Sequence, residues 1–132
     1  MPNGWTVSLW IGIGGFAGSL CRYGLSLLFA RWSPFWPTGT LAANVLGCFV
    51  IGAVMAAVER GGVFPPIVRM AVATGFCGGF TTLSSFMYET VQMVRAEEYL
   101  SAGVYVGGTL LLSAAGFLAG VALVRTLTGG AT

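Results

Sequence analysis

Several short polar runs recur at helical spacing inside long apolar segments. Thr40, Asn44 and Gly47 fall at i, i+4 and i+7. Thr82, Ser85 and Glu89 follow at i, i+3 and i+7, with Phe86 beside them, and Tyr105, Thr109 and Ser113 stand at i, i+4 and i+8, continued by Gly116 and Gly120. Gly12, Gly15, Ser19 and Arg22 form one more such stripe. Each set lies along one side of a helix. Close helix packing in a membrane accounts for the glycines. The amide of Asn44 and the hydroxyls of Tyr105, Thr109 and Ser113 point further, because polar groups in apolar surroundings cluster on pathways or interhelical contacts. Uncharged N–H and O–H donors around a narrow space suit a small anion, which they hold without trapping it as a fixed cation would. Aromatic edges carry partial positive charge of similar use. Taken alone, these residues imply a small anion or polar solute as the ligand.

The residue types that are missing exclude most enzyme chemistry. The chain has no His, no Lys and no Asp. Cys21, Cys48 and Cys77 are dispersed singly in apolar segments, which favours small packing residues over a metal set or a redox pair. Glu89 is the lone acid well inside the third apolar segment, so a paired-carboxylate mechanism within one chain has no support. Catalysis is not expected.

The elements that must position these residues follow from composition. Of 132 residues, 56% are hydrophobic and 8% charged, against roughly 25% charged in a soluble domain. That composition predicts an all-α integral membrane protein, and the net charge of +2 gives no reason to expect nucleic acid. A cleaved signal peptide is not expected, since the start lacks a basic region. Four apolar segments form a single transmembrane domain spanning the chain, at about 5–29, 40–58, 67–94 and 99–124. Ala30–Gly39 reads as an interfacial connection with tryptophan anchors. The third segment is longer than one span requires and contains GFCGGFTTLSSF, Gly75 to Phe86. Paired glycines and four hydroxyl residues predict a break near 76–82, with two half-helices meeting mid-membrane; a helix kinked by Ser/Thr back-bonding is the other reading. Unpaired backbone groups cost several kcal/mol each in lipid, so a break needs protein, water or an ion to satisfy it.

The positive residues give little orientation. Arg60, Arg69 and Arg125 fall on one side, and Arg31, Arg95 and, depending on its lean, Arg22 on the other. Without a clear bias the chain can insert both ways, which suggests an antiparallel, dual-topology homodimer.

GGFAGSLCRY (Gly14 to Tyr23), GTLAANVLGCFVIG (Gly39 to Gly52) and GFCGGFTTLSSFMYE (Gly75 to Glu89) resemble the Fluc/CrcB fluoride channels, and the resemblance covers nearly the whole chain. It implies an inverted homodimer in the cell's inner (plasma) membrane, with two fluoride pores, passing cytoplasmic fluoride outward and passively. It also implies a central structural Na⁺ held by backbone carbonyls of the two interrupted helices, from Gly78 and Thr81 in this sequence. Asn44 matches the family's pore asparagine, and Thr40, Ser85, Tyr105, Thr109 and Ser113 match its hydroxyl track. Phe86 matches the second pore phenylalanine. Leu83 stands where the first is expected, and it lacks an electropositive ring edge. Arg22 matches the family's RY motif, and it and Glu89 are the vestibule candidates. Arg22 either attracts anions there or snorkels to headgroups, and Glu89 either borders the pathway or bonds structurally. The alternative is a small dual-topology, proton-coupled drug exporter of four helices. That class needs an early membrane carboxylate, and none precedes the boundary residue Glu59.

Overall fold

A computed structural model describes residues 3–61 and 64–129. Asn3 caps the first helix, α1 (Gly4–Trp32), its side chain accepting the Thr6 N–H at 2.9 Å. The helix runs past the expected end near Phe29 because nothing interrupts its ladder before Pro34. Ser33, held ahead of that proline, leaves the helical region at φ −141° and ψ 78°. Pro37 then precedes α2 (Thr38–Glu59). Pro66 opens α3 (Pro66–Met70), at a position where its missing N–H costs nothing. The chain continues through a π-helical turn (Ala71–Phe76) into α4 (Cys77–Phe80). After two extended residues come α5 (Leu83–Arg95) and α6 (Tyr99–Leu127). Glu97, with φ at 61°, makes the tight reversal between the last two, and the Glu98 N–H returns to the Met93 carbonyl at 2.9 Å.

Four helices are long and apolar enough to cross a membrane: Gly4–Trp32, Thr38–Glu59, the composite Pro66–Arg95 and Tyr99–Leu127. Among the described residues there is no strand, so the protein is an all-helical, four-helix membrane protein. Large apolar side chains such as Phe16, Leu100, Leu111 and Leu118 face outward. Small residues fill much of the interior, among them Ala43, Ala56 and Ala102. This is the distribution that lipid as solvent allows, because it gives apolar side chains no reason to turn inward.

Glycines set the helix contacts. On α2 and α6, a side chain at Gly52 would clash with the Phe117 carbonyl, and one at Gly120 with the Phe49 carbonyl. On α1, Gly14 sits under the Ala71 carbonyl and Gly18 under the Phe76 carbonyl, with Gly75 and Gly79 returning the contact to Ile11 and Gly15. The stripe expected on α1 is therefore displaced at its start. Gly12 faces open space, and the first α1 glycine in contact is Gly14. Gly47 does a third job: a methyl there would strike Thr81 Cγ2, so its absence lets α2 approach the extended residues of the third span.

Candidate functional site

The site is built around the two residues between α4 and α5. Thr81 (φ −81°, ψ 158°) and Thr82 (φ −151°, ψ 123°) are both extended. Thr81 closes α4, its N–H and its hydroxyl both reaching the Cys77 carbonyl at 2.9 and 2.8 Å. Thr82 caps α5 by accepting the Ser85 N–H on its own hydroxyl at 3.2 Å. In an uninterrupted helix the Thr82 N–H would serve the Gly78 carbonyl. Here it donates instead to Asn44 Oδ1 at 2.7 Å, while Asn44 Nδ2 donates to the Thr82 carbonyl at 3.1 Å. Asn44 thus bonds both backbone groups of one residue, as a neighbouring strand would. Its amide has a second hydrogen to offer elsewhere.

Arg22 also acts on this segment. Its Nε donates to the Gly79 carbonyl at 3.1 Å, and Ser19 Oγ lies 3.5 Å from the same oxygen. The two sequence readings of Arg22, anion attraction and snorkelling, both overlooked this bond. An arginine one turn beyond Ser19, on the helix that packs against α4, was the available signal.

The carbonyls of Cys77, Gly79 and Thr82 are therefore occupied, whereas that of Thr81 receives no donor among the described residues, and that of Gly78 has lost the Thr82 N–H to Asn44. Bare peptide oxygens suit a hard cation. The side of Gly78 is open, with nothing within 4 Å of where a side chain would begin. No cluster of three acidic, Cys or His residues exists among the described residues. The backbone oxygens of Gly78 and Thr81 are the groups that could hold a structural cation in this region.

Two cavities among the described residues take in the polar side chains, and one of them borders the segment. The larger, about 380 Å³, lies where the α1–α2 connection meets α5, and Thr40 and Glu89 line it. Thr40 Oγ1 donates to Glu89 Oε1 at 2.7 Å, and Tyr105 Oη donates to Oε2 at 2.6 Å. One hydroxyl to each carboxylate oxygen fixes the group, at roughly 1.5–3 kcal/mol per bond to a charged partner. Trp36 meets Tyr105 edge-on at 6.4 Å between ring centroids.

The second cavity, about 240 Å³, is lined by Asn44, Thr81, Thr82, Leu83, Phe86, Thr109 and Ser113, together with Cys48 and Leu110. Phe86 of this cavity packs against Tyr105, the hydrogen-bond partner of Glu89, their rings 5.1 Å apart and tilted by 50°. Both rings are buried. Thr109 Oγ1 and Ser113 Oγ are buried with no hydrogen-bond partner among the described residues. An unpaired buried hydroxyl costs about 1–3 kcal/mol, and two on one helix face border the same cavity.

The structure thus gathers Thr40, Glu89 and Tyr105 into one cluster, and Asn44, Leu83, Phe86, Thr109 and Ser113 around one cavity. Ser85 touches this set only through Thr82, hydroxyl to hydroxyl at 3.2 Å, and lines neither space. Arg22 also lines neither. Cys48 and Trp36 were missed as site residues. Cys48 stands one turn after Asn44, so helical spacing alone gave a signal. Trp36 reads as an interfacial anchor, and its contact with Tyr105 has no local signature.

The three polar stripes meet near the extended residues Thr81 and Thr82, and comparison with known proteins gives the arrangement a family. The family model described as CrcB-like protein, Camphor Resistance (CrcB), matches residues 9–121. The chain belongs to the CrcB family. Among curated CrcB relatives, one from Prosthecochloris aestuarii is 37% identical over 95% of this chain and 98% of its own length. One from Chlorobium chlorochromatii is 39% identical over 92% and 94%, and one from Chlorobaculum tepidum is 40% identical over 89% and 93%. Each of these relatives is named "Fluoride-specific ion channel FluC".

Proposed function

We propose that this CrcB chain is a fluoride-selective channel of a cell's inner (plasma) membrane, through which cytoplasmic fluoride leaves passively. The observation that carries the proposal is the pair of buried, unpartnered hydroxyls on α6. Thr109 and Ser113 face the cavity that Asn44 and Phe86 also line. A small dehydrated anion would complete exactly the bonds these donors lack, and no fixed cation lines the same space to trap it. The relatives' names agree with that chemistry. Hydrogen fluoride enters cells as a neutral acid and dissociates inside, so the exit route needs to carry only F⁻. The sequence holds no nucleotide-binding loop and no proton-relay chain that would drive a pump.

In this reading the Thr81–Thr82 interruption lies at membrane depth in the third span. Asn44 and Arg22 satisfy part of the opened backbone. A Na⁺ shared by two inverted copies takes the Gly78 and Thr81 carbonyls of each, closing an antiparallel homodimer. The diverted Thr82 N–H and the open flank of Gly78 support this arrangement.

The test is reconstitution in liposomes with ion-selective electrodes following F⁻ and Cl⁻ efflux. Rapid F⁻ loss with negligible Cl⁻ loss is expected. Equal loss of both ions, or of neither, refutes the proposal. C-terminal tags found on only one face of the membrane would refute the inverted pair.

A further inference from the structure

We infer that the Glu89 cavity is a binding site for a compact organic cation, of the size of guanidinium or tetramethylammonium, and that such a ligand obstructs the pathway instead of crossing it. The binding argument stands apart from the proposed function; the obstruction rests on it.

The cavity's charge is the first reason. Among the described residues, Glu89 is the single charged side chain lining it. Arg22, one turn before the lining residue Ser26, donates its Nε to the Gly79 carbonyl and does not line the space, and Arg31 follows the lining residue Ala30 without lining it either. An anion therefore meets no cationic partner here, and a cation meets an uncompensated carboxylate.

The second reason is how that carboxylate is held. Thr40 and Tyr105 each occupy one lone pair of one oxygen, at 2.7 and 2.6 Å. The remaining lone pairs are available, and the two hydroxyls have already fixed the group's orientation, so a ligand need not order it.

The third reason is the wall. Phe35, Trp36 and Tyr88 line the same space. Aromatic faces beside a carboxylate are the surroundings that favour quaternary ammonium and guanidinium groups over hydrated metal ions. A volume of about 380 Å³ is near the lower bound for small-molecule sites, roughly 300 Å³, so the ligand is compact. Obstruction follows from position. Tyr105, whose ring packs 5.1 Å from that of Phe86 in the second cavity, donates to the carboxylate that the cation would occupy, so a bound cation sits beside the polar track of the proposed pathway.

The experiment uses the full chain in lipid nanodiscs. Tetramethylammonium is titrated by calorimetry, with tert-butanol as the uncharged probe of similar shape. Saturable binding of the cation alone is expected. Glu89→Gln should bring it below detection, and Tyr88→Leu should weaken it about twofold to fivefold through loss of one ring. Tyr88 is exposed, so that variant is expected to remain monodisperse, and it keeps the test decisive if Glu89→Gln does not fold. In proteoliposomes the cation should slow F⁻ efflux with a midpoint matching the calorimetric one. Absent or unsaturable binding, equal binding of tert-butanol, or full binding to Tyr88→Leu overturns the site. Accumulation of the radiolabelled cation inside vesicles overturns obstruction. The titration needs no flux, so loss of the fluoride reading and loss of the site are separate results.

Discussion

The two bonds from Asn44 to Thr82 give a prediction that separates holding the backbone from lining a pathway. Replacing Asn44 by Leu keeps the branched outline, adds some bulk and removes both contacts. The Thr82 N–H, now 2.7 Å from Oδ1, loses its acceptor, and the Thr82 carbonyl loses its donor at 3.1 Å. Each orphaned group costs about 1–3 kcal/mol where water does not replace the partner. Local opening around the Thr82 amide becomes easier by the cost of the N–H alone, so its exchange should accelerate about 5-fold to 150-fold. Asn44→Asp is the informative companion. It retains an acceptor for the N–H but sets a carboxylate oxygen against the Thr82 carbonyl, so exchange at Thr82 should rise less while flux still falls. The assay is hydrogen–deuterium exchange on the peptide covering α4 and the start of α5, with F⁻ efflux measured on the same preparations. If Asn44→Leu abolishes flux and leaves the Thr82 amide as protected as before, Asn44 acts on the ion alone and the backbone argument is wrong.

Other expectations follow from single contacts. Thr109→Val removes a buried hydroxyl without a partner, so thermal stability should hold or rise by up to about 1 kcal/mol while F⁻ flux drops; a marked loss of stability would mean that the hydroxyl is already bonded. Gly52→Ala drives a methyl into the Phe117 carbonyl, which as backbone cannot step aside, and should cost about 1–3 kcal/mol. Gly103→Ala, in open space, should be neutral or stabilising by thermal-shift measurement. Removing sodium from both sides of the membrane should abolish F⁻ efflux, and full activity without it refutes the shared cation. Leu83→Phe should change flux and anion binding, because Leu83 lines the second cavity; unchanged values would exclude position 83 as a working position.

The four long helices and their polar faces were legible because each depends on local pattern alone: apolar length, proline and glycine at the ends, and three- or four-residue spacing. Partnerships across helices were not. Nothing in the sequence says that the Thr82 N–H turns to α2, or that Arg22 spends its Nε on a carbonyl of α4. Both depend on how closely glycines let the backbones approach, a tertiary quantity. The Glu89 cluster draws one residue from each of α2, α5 and α6, and the spacing within any one helix is silent about its counterparts. Gly12 shows the same limit from the other side, since a stripe of small residues gives a contact face only to within one position, and the first α1 glycine in contact is Gly14. The π-helical turn carries no residue signature in AVATGF and was not foreseen.

That wide turn has a consequence for chain length. A π turn holds one residue more than an α turn, and one residue shifts the angular phase of everything after it by about 100°. It follows Pro66, contains Gly75 and precedes Cys77 and Gly79, so it works as a spacer that dials the downstream half-span into mesh with α1. Shortening the segment by one amino acid would let the coil rewind to regular pitch and swing Gly79 off Gly15, turning a bulkier neighbour towards a gap that admits none. The number of residues between Pro66 and Thr81 is thus as tightly specified as their identities.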